Sequence, residues 1–142
     1  MKCILATAAL FLVTSNVLAE SSYGGMQSRT VKALSEQQVA DLSQGHGMGM
    51  ALAAELNGYP GPSHVLELAD KLELTPDQIS AIRRLFESIK TESIPLGARL
   101  IEEETELDGQ FATRAITQDS LRTVTAAAAR TQGELRETHL KY

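Results

Sequence analysis

Apolar residues recur along this chain in steps of three and four, the period of one helix face. Val39, Leu42, His46, Gly49, Ala53 and Leu56 keep that spacing and predict a first helix from about 36 to 56. Asn57-Gly58 stops it, and Tyr59-Pro60-Gly61-Pro62 is a turn. Ser63 then caps a second, short helix from 64 to about 72, where Val65, Leu66, Leu68, Ala69 and Leu72 leave most of the surface apolar. A third stripe runs through Ile79, Ile82, Phe86, Ile89, Ser93, Leu96, Leu100 and Leu107. Pro95 removes one ladder hydrogen bond, but the stripe continues in phase past it. That predicts a single kinked helix ending near Gly109, roughly 50 Å long. Such a length implies an elongated bundle, or a dimer that covers the exposed stripe. Asp108-Gly109 opens the next turn, with Phe111 packing back on the long helix. A fourth helix begins at Thr117 with a narrow apolar face of Leu121, Val124, Ala128, Thr131 and Leu135. If the third and fourth helices are antiparallel, Arg122, Arg130 and Arg136 can pair with Glu102, Glu103, Glu104 and Glu106. Exposed pairs of this kind are worth about 0–1 kcal/mol each, so they set alignment more than stability.

Helix starts are written alike. In Leu74-Thr75-Pro76-Asp77-Gln78-Ile79, Thr75 suits the N-cap and Gln78 can return a bond to the cap residue's own N–H. Pro76 has no N–H to lose at the first helical position. Asp77 complements the positive end of the helix dipole. Leu74 and Ile79 flank the box as a hydrophobic staple. Leu34-Ser35-Glu36-Gln37-Gln38-Val39 repeats the pattern, and Ile116-Thr117-Gln118-Asp119-Ser120-Leu121 is a degenerate copy.

The first helix carries an anomaly, Gln44-Gly45-His46-Gly47-Met48-Gly49-Met50. Each glycine costs about 0.8–1 kcal/mol relative to alanine inside a helix. Close approach of a second helix, or a local break, would account for them.

Residues 1–19 have the layout of an export signal. Lys2 is the positive start, Ile4 to Val13 is an apolar core too short for a comfortable span, and cleavage between Ala19 and Glu20 fits Val17-Leu18-Ala19. Retention of the segment would instead tether the protein to the inner membrane, facing the periplasm. Residues 20–34, rich in Ser, Gly, Gln and Thr, are expected to be a disordered leader. Residues 35–142 form the one folded domain. Cleavage removes Lys2 and Cys3, leaving 12 Lys+Arg against 18 Asp+Glu, a formal charge of −6 and no cysteine. Disulfides and thiolate ligands are thereby excluded from the mature chain. The acidic balance argues against nucleic acid, whose phosphates need Lys and Arg.

With these features together, the sequence resembles the periplasmic helical family of Spy- and CpxP-like envelope-stress chaperones and heavy-metal-resistance or metal-sensor proteins. The likeness covers roughly residues 35–142 and rests mainly on Leu74–Gln78 and the helix layout. It implies an all-α fold, an elongated four-helix hairpin with a long kinked third helix, in an intertwined or cradle-like dimer. It also implies a periplasmic location and non-enzymatic work in metal or envelope-stress tolerance. The partners it implies are a second copy of the chain, unfolded envelope proteins, or a membrane sensor protein.

No enzyme motif is present: no Gly-x-Ser-x-Gly elbow, phosphate loop or His-Glu-x-x-His. The Glu102–Glu106 run reads as a solvated face. Metal chemistry is better supported. His46 and Met50 lie four apart and would share a helix face, a pairing of imidazole and thioether that suits copper or another borderline metal. Met48 could join only if the helix opens at the glycines. Both methionines would equally serve flexible packing or a peptide-binding surface. The metal-sensor branch implies a His-led pair on the first helix, a Glu on the second and a His-led pair near the end of the last. His46, Glu67 and His139 match those places. Two departures stand out: Met50 replaces a second imidazole, and the position four beyond His139 falls past Tyr142. The expected cofactor is a weakly bound copper, zinc, nickel or cobalt ion at His46, Met50, Glu67 and His139.

Overall fold

The computed structural model describes residues 23–142. The export signal, its cleavage point at Ala19 and Glu20, and the first residues of the leader lie outside the described residues. Within them the chain is all-α, with no strand. A 3-10 turn at Met26–Ser28 precedes α1 (Glu36–Gln44), α2 (Leu52–Glu55), α3 (Pro62–Glu67), α4 (Pro76–Ala112) and α5 (Gln118–Leu140). None of these helices is long and apolar enough to cross a membrane.

The caps form as the sequence requires. Ser35 Oγ accepts from Gln38 N while Gln38 Oε1 accepts from Ser35 N, and Thr75 and Gln78 repeat the exchange. At Thr117 the partner is Ser120, whose hydroxyl is long enough to close a third box at 3.0 and 3.1 Å. Each box satisfies two backbone N–H groups that the helix itself leaves unpaired.

At 37 residues, α4 is the frame of the molecule, about 55 Å long. It runs through Pro95 unbroken. Both Pro95 and Thr91, whose carbonyl loses its partner there, are exposed, so water can take the freed acceptor. The pairs Arg99–Glu134 (3.0 Å), Thr131–Glu103 (3.1 Å) and Lys141–Glu92 set α5 antiparallel to α4. These pairings correct the expected charge pattern. The Arg99–Glu134 pair puts its Arg on α4 and its Glu on α5, the reverse of Arg122, Arg130 and Arg136 reaching the Glu102–Glu106 run, while Lys141 just past α5 takes Glu92 of α4. The register follows apolar seams, and surface charges take whatever partner that register supplies.

The seam on α4 is Ile89, Ser93, Gly97 and Leu100, and on α5 it is Val124, Ala128, Thr131, Leu135 and Thr138. Small residues sit where helices cross. Gly97 lies against the backbone of Leu42, and Ser93 Oγ donates to the Gly45 carbonyl at 3.4 Å. The core cluster is Val31, Leu34, Leu42, Leu100, Ala128 and Leu135. Val31 and Leu34 belong to the stretch expected to be disordered. Their burial ties residues 31–34 to the core, and Leu34 stands just before the Ser35 cap, where a staple residue belongs.

Three further expectations need correction. The first predicted helix ends at Gln44, because Gly45 adopts φ 72°, a left-handed C-cap that ends a helix. The second helix starts earlier than expected, at Pro62 after Gly61, and is regular only to Glu67. The long helix passes Gly109 and absorbs Phe111, which is exposed rather than folded back.

Candidate functional site

The helix break positions the site. Residues 45–51 leave α1 as an irregular loop with Gly45 and Gly49 in the left-handed region. The loop lies beside the N-terminal part of α4, α3 and the end of α5. Together they enclose an open cleft of about 390 Å³. His46, His64 and His139, the only histidines of the sequence, all line it, with Glu55 and Glu67. Phe86 and Ile89 of α4 supply its apolar wall.

Each imidazole is held differently. His46 Nδ1 lies 3.0 Å from Asp41 Oδ1, an oxygen that also accepts from Gln37 at 2.9 Å. These two hydrogen bonds, that from His46 foremost, hold the Asp41 carboxyl below its ordinary pKa. His64 Nδ1 lies 3.1 Å from Glu55 Oε1, which ties α3 to α2. In both rings a carboxylate engages Nδ1 and leaves Nε2 as the other nitrogen. Metal-binding histidines are commonly oriented in this way. His139 is half-buried at the end of α5, and its Nε2 is buried without a hydrogen-bond partner. A Cβ on Gly47 would stand 3.3 Å from its Nδ1, so the glycine lets the loop backbone lie close to this ring. Burial pushes the His139 pKa down, keeping the ring neutral to lower pH than a free imidazole. Neutral imidazole is the form that ligates.

Of the residues expected at a metal site, His46, Glu67 and His139 meet at this cleft. Met50 does not. It packs against the core cluster, because the break at Gly45 ends the four-residue spacing that would have put it beside His46. His64, Glu55 and Met48 line the cleft as well. His64 stands one turn before Glu67, so their shared lining was foreshadowed. Met48 reaches the cleft because the helix opens at the glycines. Among the described residues, no three His, Cys, Asp or Glu side chains stand close enough to hold one ion in this conformation. The residue types in the lining, imidazole, carboxylate and thioether, are ones that can ligate a transition metal.

Compared with known proteins, the chain matches no family model, no curated sequence and no solved structure.

Proposed function

We propose that this is an exported, non-enzymatic protein that binds a transition-metal ion in the cleft between the glycine loop, α3 and the end of α5. Its role is metal resistance or metal sensing in the periplasm. One observation carries this reading. All three imidazoles of the chain line one cleft, two held at Nδ1 by carboxylates and the third with a buried, unpartnered Nε2. His46, His139 and Glu67 are the principal donors, with His64 beside them. A bound ion would link three segments distant in sequence and so bias the loop, which is how occupancy would be read by a partner. Bringing together donors that do not converge among the described residues opposes binding, consistent with weak affinity. Calorimetric titration of residues 20–142 with copper, zinc, nickel or cobalt is expected to saturate near one equivalent. His46→Ala and His139→Ala should each abolish saturation. No heat at tens of micromolar metal would refute the reading.

A second reading, an ATP-independent holdase chaperone, is favoured by a different observation. The N-terminal third of α4 extends past the end of α5, and apolar side chains stay exposed around it. Leu68, Leu72 and Leu85 are 44%, 52% and 44% accessible, while Leu56 and Tyr59 reach 80% and 73%. Patches of this kind mark interaction surfaces. In a cradle-like dimer they would face unfolded envelope proteins. Metal-free protein should then suppress aggregation of an unfolded substrate, and Leu72→Ser/Leu85→Ser should weaken that suppression. Unchanged aggregation at several-fold excess of the wild type would dismiss this reading.

A further inference from the structure

Met48 stands out in the glycine loop. It has φ 44°, in the left-handed region that residues with a Cβ seldom occupy, although glycines stand on either side of it. Glycine would meet the same backbone need without strain, yet a methionine sits there. Met48 lines the cleft together with the three histidines and is 40% accessible. Met50, two residues on, packs against the core instead. The two methionines therefore have different surroundings, one lining the cleft and one packed against the core. An uncommon backbone conformation that holds a side chain at a cleft is a feature from which function can be inferred.

We propose that Met48 is a thioether donor of the cleft, and that the cleft therefore prefers a soft monovalent ion, copper(I), to divalent zinc, nickel or cobalt. This rests on the cleft being a metal site, as argued above. Thioether sulfur is a soft, uncharged donor that favours copper(I), whereas carboxylates favour harder ions. The cleft lining holds both classes, Met48 with the imidazoles and the carboxylates Glu55 and Glu67. Met48 belongs to the glycine loop, as does His46. A soft ion can be met by Met48 together with His46 on that loop and His139 beside Gly47. A divalent ion gains less from the thioether and can rely on the imidazoles with Glu55 or Glu67.

The test uses residues 20–142 with silver(I) as an air-stable soft probe, copper(I) under anaerobic competition with a chromophoric chelator, and zinc as the divalent arm. The variants are Met48→Leu and Met50→Leu, volume-conserving changes that a core tolerates well. Methyl-13C-methionine spectra of the wild type read each thioether directly, without any substitution. The expected result is that the Met48 methyl moves at one equivalent of silver while the Met50 methyl stays. Met48→Leu should lose at least tenfold in silver and copper(I) affinity with zinc affinity little changed, and Met50→Leu should match the wild type. An unmoved Met48 methyl, or silver affinity unchanged in Met48→Leu, overturns the thioether assignment. If zinc still binds and His139→Ala abolishes it, the metal reading survives that failure. If no ion saturates the wild type, both fall.

Discussion

Gly97→Ala is expected to destabilise the protein by about 2 kcal/mol, although alanine is the better helix former. Gly97 is buried in the middle of α4, where α1 crosses it. A Cβ there would stand 2.3 Å from the Leu42 carbonyl oxygen, 2.8 Å from its carbon and 3.2 Å from its Cα. These are backbone atoms, so no rotamer change relieves the overlap, and α1 must shift as a body. Overpacking costs typically about 1–3 kcal/mol and sometimes more, against about 1 kcal/mol gained in helix propensity. Gly109→Ala and Gly133→Ala make the same change in α4 and α5 with nothing within 4 Å of the added carbon. Both should stabilise, by roughly 0.5–1 kcal/mol. Urea unfolding of the three variants separates the effects. The account is contradicted if Gly97→Ala is as stable as the other two.

Leu42→Ala and Leu135→Ala should each cost about 3 kcal/mol, within the range for emptying a buried leucine site. Both side chains are only 2% accessible and belong to one cluster, reached from α1 and α5 respectively. Leu42 matters twice, since its side chain fills the core and its backbone rests on Gly97. Leu56→Ala is the internal contrast: Leu56 is 80% accessible, and its loss should change stability by less than about 0.5 kcal/mol. Because Leu42 and Leu135 share the cluster, the double variant should not be additive. Thermal melts read these costs at roughly 4 °C per kcal/mol for a chain of this size. Equal melting of Leu42→Ala and Leu56→Ala would show that the core lies elsewhere.

Local signals were legible in the sequence because they depend on few neighbours. Ser35, Thr75 and Thr117 cap their helices as their hydroxyls demand, and the in-phase stripe past Pro95 marks one continuous helix. Val124, Ala128 and Leu135 were recognisable as a buried face from spacing alone. What depended on tertiary contact was not. The glycines of residues 45–49 allowed either close approach or a break, and both occur: Gly45 turns left-handed while lying against Ser93. That break moved Met50 into the core and Met48 into the cleft. Burial of Val31 and Leu34 in a polar stretch could not be read from composition, since it depends on the groove that α1, α4 and α5 leave open. Ion-pair partners followed the register of α4 on α5, which apolar packing decides. At the cleft, His46, Glu67 and His139 come together where the resemblance implied a site, their role as ligands being the proposal, and His64 is hinted at only by its spacing from Glu67.

The measurement that bears most directly on the metal cleft is a long-range 1H–15N spectrum of the three imidazoles during zinc titration of residues 20–142. Only His46, His64 and His139 contribute, so each ring reports separately. The account predicts that His46 and His139 shift together and are complete at one equivalent, with Nε2 as the metal-bound nitrogen of His46. Rings that stay unchanged, or that respond one by one over several equivalents, would contradict it.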